Sequence, residues 1–221
     1  MTNSEIANMI DHTILKPTAT ISDIETLCQE AMDNSFASVC VNPCWVKVAS
    51  EYIKANKKTE HEVKTCTVIG FPLGANTKDV KAYETENAIE NGAQEIDMVI
   101  NIGLAKMGSW ELIEEEITEV VKAAKGNCVK VIIETCYLTD EEIQLACEVA
   151  LKANATFVKT STGFGTAGAT PENVKLMRNT VGEKLGVKAA GGIRDKKSAL
   201  SMIEAGATRL GCSAGKEIIN V

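Results

Sequence analysis

A short apolar run rich in β-branched residues, followed by an amphipathic helical stretch, recurs along this chain. That alternation constrains the fold more than any other feature. Candidate strands fall at 9–15, 38–41, 65–71, 95–100, 129–134, 157–161, 187–190 and 209–212. Between them lie stretches with helical spacing of apolar residues, among them SDIETLCQEAMDNS, TKDVKAYETENAIENG, SWELIEEEITEVVKAAKG and TDEEIQLACEVALKAN. Ser22, Thr139 and Thr170 (the last before Pro171) read as helix caps, and Gly92, Gly126 and Gly206 read as stops. Strands that alternate with helices pair in parallel through right-handed crossovers. Eight such units predict a (β/α)₈ TIM barrel, a parallel eight-stranded α/β fold, with residues 1–221 as a single catalytic domain. An open doubly wound sheet would need a glycine-rich turn after the first strand, and DHTILKPTAT has none.

Composition narrows the function classes. A net charge of −7 argues against nucleic-acid binding, which needs a basic face. No apolar run approaches the roughly 20 residues of a spanning helix, and nothing resembles a signal peptide, so no membrane role is expected and the cytoplasm is the expected compartment. Most of the eight cysteines sit in apolar runs (Cys40, Cys66, Cys136 and Cys147 among them), as buried free thiols would.

In a barrel, chemistry is carried at the C-terminal ends of the strands. Three ionisable residues lie in strands of otherwise apolar or small residues: Asp97 in EIDMVIN, Lys159 in FVKTSTGFG and Lys188 in GVKAAGGIR. Alternation puts Lys159 on one face with Phe157 and Ser161, and strands 4 and 6 feed the same interior layer. The plain alternative has the lysines snorkelling outward and Asp97 in a structural ion pair. Convergence of the three in one cavity has a specific use. A second cation and partial desolvation lower a lysine's pKa, and a neutral amine attacks a carbonyl to form an imine. A carboxylate then moves protons. After the seventh strand come Gly191 and Gly192, and after the eighth Gly211, Cys212 and Ser213. Barrels of this type often bind phosphate there, through backbone amides that glycine leaves approachable. An isomerase or transaldolase-like enzyme would share the barrel and its phosphate loop, but an isomerase would want no buried second lysine, and a non-catalytic barrel would have no reactive lysine.

The motifs FVKTSTGFG, EIDMVINIG, KAAGGIR, DHTILKP, GFPLGAN and SVCVNP, in this order along nearly the whole chain, resemble those of the deoxyribose-phosphate aldolases. The resemblance implies a class I aldehyde-lyase that cleaves 2-deoxy-D-ribose 5-phosphate to D-glyceraldehyde 3-phosphate and acetaldehyde, reversibly. It implies Lys159 as the Schiff-base lysine, Asp97 as general acid/base and Lys188 as the neighbour that tunes Lys159. Thr162, Gly163, Asp11 and Cys40 join the glycines and Ser213 as expected substrate contacts. No cofactor or metal is implied; a dimer is expected from the family alone. The chain departs from some relatives in Phe164, where they carry a phosphate-holding lysine, in Cys212, where a second serine is common, and in its last residues, where they carry a tail with a terminal tyrosine. The first two leave the phosphate end short of charge.

Other signals are discounted. His12 and His61 are far apart, and Cys40-x-x-x-Cys44 lacks a second ligand pair, so a metal-dependent aldolase is disfavoured. His12 reads as structural, Cys40 as a packed thiol that could face an aldehyde, and Glu114-Glu115-Glu116 as a solvated helix face.

Overall fold

The computed structural model describes residues 1–57 and 60–219. The last two positions of the chain, where the comparison of tails ends, lie outside them. The strands are β1 Ile10–Ile14, β2 Ser38–Val41, β3 Lys64–Ile69, β4 Glu95–Val99, β5 Cys128–Ile132, β6 Phe157–Lys159, β7 Gly186–Ala190 and β8 Arg209–Cys212. Each pairs in parallel with its sequence neighbours, and β1 closes on β8, giving the expected barrel.

The alternation along each strand divides the interior into two unlike halves. One face of each strand carries residues such as Val39, Val41, Ile96, Met98, Val129, Val131, Val158, Val187 and Leu210, all buried in the layer between barrel and helices. This layer is the main core. Each fully buried Val, Ile or Leu there stabilises by about 1.5–3 kcal/mol. The other face carries Asp11, Ser38, Cys40, Cys66, Glu95, Asp97, Lys130, Lys159, Lys188 and Arg209, whose side chains meet across the barrel. Cys40, Cys66 and Val68 form a small separate apolar cluster there with Leu15 and Phe71.

Helix N-termini lie next to the C-terminal ends of the strands because each helix follows a βα loop. Thr139 and Thr170 cap helices Asp140–Lys152 and Pro171–Val181 as expected. Ser22 does not cap. The cap of helix Ile21–Asp33 is Thr20, in a reciprocal box with Asp23, which places Ser22 inside the first turn. Strands β3, β5 and β6 end two residues earlier than their apolar patterns suggest. Gly70 (φ +62°) and Glu134 (φ +54°) leave the ladder in left-handed conformations, while Thr160, Ser161 and Thr162 stay buried in a loop. The pattern continues past the strand because those residues still pack inward.

Candidate active site

Lys159 ends β6. Its side chain is almost fully buried, and its Nζ lies 2.8 Å from Asp97 Oδ2. Lys188 stands beside it on β7 in direct register and donates to the same oxygen at 2.7 Å. Lys130, in register with Asp97 on β5, takes the other carboxylate oxygen at 2.8 Å. Asp97 therefore bonds three lysine side-chain nitrogens while wholly buried. Burial opposes its charge, but Lys130, Lys159 and Lys188 overcome that and hold it well below the usual carboxylate range.

Lys188 is held from the other side by Asp11. Burial disfavours its ammonium form, yet Asp11 and Asp97 together outweigh this and keep it a cation well above the ordinary lysine range. Asp11 also accepts from Arg209 at 2.7 Å and from Ser38 Oγ at 2.7 Å, and Glu95 bridges Arg209 and Lys130 at 3.1 and 2.6 Å. The charges form one connected network, which is what makes their burial tolerable. Gly211 makes room for it: a Cβ there would stand 3.0 Å from Lys188 Cε and from Ala190 Cβ.

Above this network opens a cavity of about 400 Å³ at the C-terminal end of the strands. Of the three interior lysines, Lys159 is the one that lines it; Lys130 and Lys188 lie beneath. The wall carries Thr162, Gly163 and Phe164 on one side and Gly191, Gly192, Gly211, Cys212 and Ser213 on the other. Burial pushes the Cys212 thiol up to about 12, so it stays neutral. An electrophile reaching the floor of the cavity meets the Lys159 amine, with the Asp97 carboxylate and the Lys188 cation directly behind it.

A family model of DeoC/LacD family aldolases matches residues 6–220. The chain belongs to the DeoC/LacD aldolase family. A deoxyribose-phosphate aldolase of Carboxydothermus hydrogenoformans is 61% identical over 223 residues, which cover 99% of this chain and 96% of that protein. One from Clostridium tetani is 60% identical, covering 97% and 98%. Among solved structures, the deoxyribose phosphate aldolase from Aeropyrum pernix, described as tetrameric, superposes with a TM-score of 0.91 at 34% identity, covering 99% of this chain and 91% of that one.

Within this aldolase the structure brings Lys159, Asp97 and Lys188 into direct contact, and it gathers Thr162, Gly163, Gly191, Gly192, Gly211 and Ser213 around the cavity. Asp11 and Cys40, expected as substrate contacts, are both fully buried in the barrel and off the cavity wall. Asp11 faces inward from the first half of β1, one layer too deep for the mouth. His12 points the other way, to Glu30 at 2.9 Å on helix Ile21–Asp33. Glu116 is not solvated: it is buried against Lys81 at 2.6 Å.

Lys130, Glu95 and Arg209 were missed as members of the interior network, although the alternation in CVKVI marks Lys130 by the rule that marks Lys159. Lys16 and Arg194 also line the cavity near the glycines and Ser213, so that end is less poor in charge than Phe164 and Cys212 suggest. Among the described residues, Cys40, Cys66 and Asp97 bring ligand-type atoms within 4.8 Å of one another. They do not suit a metal ion. Asp97 already serves three lysine side-chain nitrogens, and burial pushes the Cys66 thiol well above its ordinary range, away from the thiolate a metal needs.

Proposed function

We propose that this aldolase cleaves 2-deoxy-D-ribose 5-phosphate to D-glyceraldehyde 3-phosphate and acetaldehyde, and runs the reverse condensation, through an imine on Lys159. The observation that carries the reading is a buried lysine at the floor of the cavity whose amine shares one carboxylate oxygen with a second, fully buried lysine. The names of the relatives supply the substrate.

In the cleavage direction the Lys159 amine adds to C1 of the open-chain sugar, and loss of water gives an iminium. The C3 hydroxyl gives up its proton and the C2–C3 bond breaks. Its electron pair goes into the iminium to form an enamine, and C3 leaves as the aldehyde of glyceraldehyde 3-phosphate. Protonation at C2 and hydrolysis release acetaldehyde and the free amine. Asp97, ionised and within 2.8 Å of Lys159, is the group placed to take and return these protons, through water where the reacting atom is out of its reach. Lys188 stays cationic and stands across the shared carboxylate oxygen from the Lys159 amine. The phosphate lies toward Gly191, Gly192 and Ser213, with Arg194 and Lys16 as its counter-charges. The same reading places the enzyme in deoxyribonucleotide breakdown in the cytoplasm, where the eight free thiols fit a reducing compartment.

Acetaldehyde release from 2-deoxy-D-ribose 5-phosphate, coupled to NADH oxidation by alcohol dehydrogenase, tests this. The unaltered protein is expected to turn over and Lys159→Met to fall to background. Turnover that survives Lys159→Met, or none with the unaltered protein, contradicts the reading.

A further inference from the structure

Glu134 combines three features that are each costly. Its backbone is left-handed (φ +54°, ψ +66°), a conformation that glycine adopts freely and a side chain with a Cβ resists. Its side chain is almost completely buried, at 1% exposure. Among the described residues, no lysine or arginine forms an ion pair with it. Strain and an unpaired buried acid persist at one position only where the surroundings enforce them, and such positions gather at functional sites.

The contacts of Glu134 show what the arrangement holds. Both carboxyl oxygens accept from the Thr162 amide, at 3.2 and 3.3 Å, and Oε2 also accepts from the Thr162 hydroxyl. Thr162 Oγ1 in turn accepts from the Phe164 amide at 3.0 Å. The neighbours of Glu134 bind the other side of the same loop: the Ile133 amide donates to the Lys159 carbonyl at 3.0 Å and the Thr135 amide to the Thr160 carbonyl at 2.9 Å. The left-handed turn lets the chain keep both of these backbone bonds while its side chain swings over the loop. Gly165 is part of the fit, since a Cβ there would come within 3.3 Å of Glu134 Oε1. The result fixes Thr162, Gly163 and Phe164, which line the cavity beside Lys159, and Phe164 closes edge-on against Phe71 with ring centroids 5.3 Å apart. Glu134 itself lines a separate small cavity behind Phe164 and does not face the Lys159 amine.

We propose that Glu134 is the positioning residue of this active site, acting through Thr162 to hold the substrate-facing loop that follows Lys159. The inference rests on the Schiff-base reading for its kinetic consequence. Its structural consequence stands apart, since loop order is measurable without turnover.

Glu134→Gln tests it. Glutamine keeps the length and one acceptor but turns an amide NH₂ toward the two donors of Thr162. Loss of one strong hydrogen bond predicts a KM for 2-deoxy-D-ribose 5-phosphate raised about tenfold, with kcat within about twofold. Hydrogen exchange of the Phe164 amide should accelerate by a similar factor while that of Val158, in β6, does not change. A KM and a Phe164 exchange rate equal to those of the unaltered protein would overturn the proposal. So would a uniform loss in which kcat, KM and the exchange of both amides worsen together, for that is general loosening. If Glu134→Gln does not fold, Thr162→Val attacks the same contact from the loop and carries the same readouts, with unchanged values again decisive against it. No turnover in any form, with Phe164 exchange still accelerated, would sink the Schiff-base reading and leave the positioning role standing.

Discussion

Two largely buried ion clusters in this barrel behave in opposite ways. Inside the barrel, Asp97 is held ionised and Lys188 is held protonated, because several opposite charges outweigh burial for each. Between barrel and helices, Lys81 on helix Lys78–Glu90 meets Glu116 on helix Trp110–Ala123 at 2.6 Å. There burial wins: it lowers the lysine from its ordinary value and raises the carboxyl from its own, despite the attraction between them. Glu116, with the weaker field of Glu84, does not repay desolvation of Lys81, whereas the network of alternating charges inside the barrel does repay it. The difference matches the two roles. The network keeps charge available beneath a reactive amine. The outer pair ties loops: Lys81 donates to the Gly74 and Val99 carbonyls at 2.8 and 2.7 Å, and Glu116 accepts from the Asn101 amide at 3.0 Å. Gly70 is part of that tie, since a Cβ there would come within 2.7 Å of Lys81 Cε.

Asp97→Asn should have the largest effect. It removes the centre of the network and leaves three lysines short of a counter-charge, so a loss of about 3–5 kcal/mol or more in urea unfolding is expected. A loss below about 1 kcal/mol would mean that the network does not hold these charges. Next comes the outer pair. Lys81→Met alone should cost about 3–5 kcal/mol, because Glu116 and two carbonyls lose their donor. Lys81→Met with Glu116→Leu should recover only the part due to the stranded Glu116, because the Gly74 and Val99 carbonyls still lack a donor and the Asn101 amide then lacks its acceptor. If the double variant is as unstable as the single one, the pair is not the desolvation-dominated contact described here.

The smallest effect is in the pH dependence, where the two clusters should slope in opposite directions. The depressed Asp97 carboxyl contributes stability that is present above its ordinary value of 3.8 and is lost as pH falls below it. The advantage of the parent over Asp97→Asn should therefore shrink in acid. Glu116 is raised above 4.5, so its folded form keeps a proton that the unfolded chain has lost. The parent should lose ground to Glu116→Gln as pH rises from 4.5 through the folded value. Unfolding free energies of the three proteins across the acid range measure both slopes, and equal signs would refute the distinction.

The sequence is legible where period decides. The eight strands and the faces of Asp97, Lys159 and Lys188 follow from the alternation, and closure follows from the number of units and the missing glycine-rich turn after the first strand. Partnership is less legible, because it depends on which strand lies opposite and at what depth. Asp11 is expected as a substrate contact, yet its carboxylate is spent inside the barrel on Ser38, Lys188 and Arg209. Lys81 and Glu116 were hidden for another reason. Helix Lys78–Glu90 buries Lys81, Thr85 and Ala88, a face with almost no apolar signal, and the run Glu114-Glu115-Glu116 masks the one member that turns inward. Glu134 was hidden because its apolar neighbours extend the strand pattern past the point where its backbone turns left-handed.

In the proposed mechanism three buried lysines share one network, and Lys159 alone reacts with the aldehyde. Borohydride reduction in the presence of acetaldehyde, followed by peptide mapping by mass spectrometry, tests it directly. One imine-derived ethyl group would add to the peptide carrying Lys159, with Lys130 and Lys188 unmodified. An adduct on Lys130 or Lys188, or no adduct on an intact, folded chain, would contradict the account.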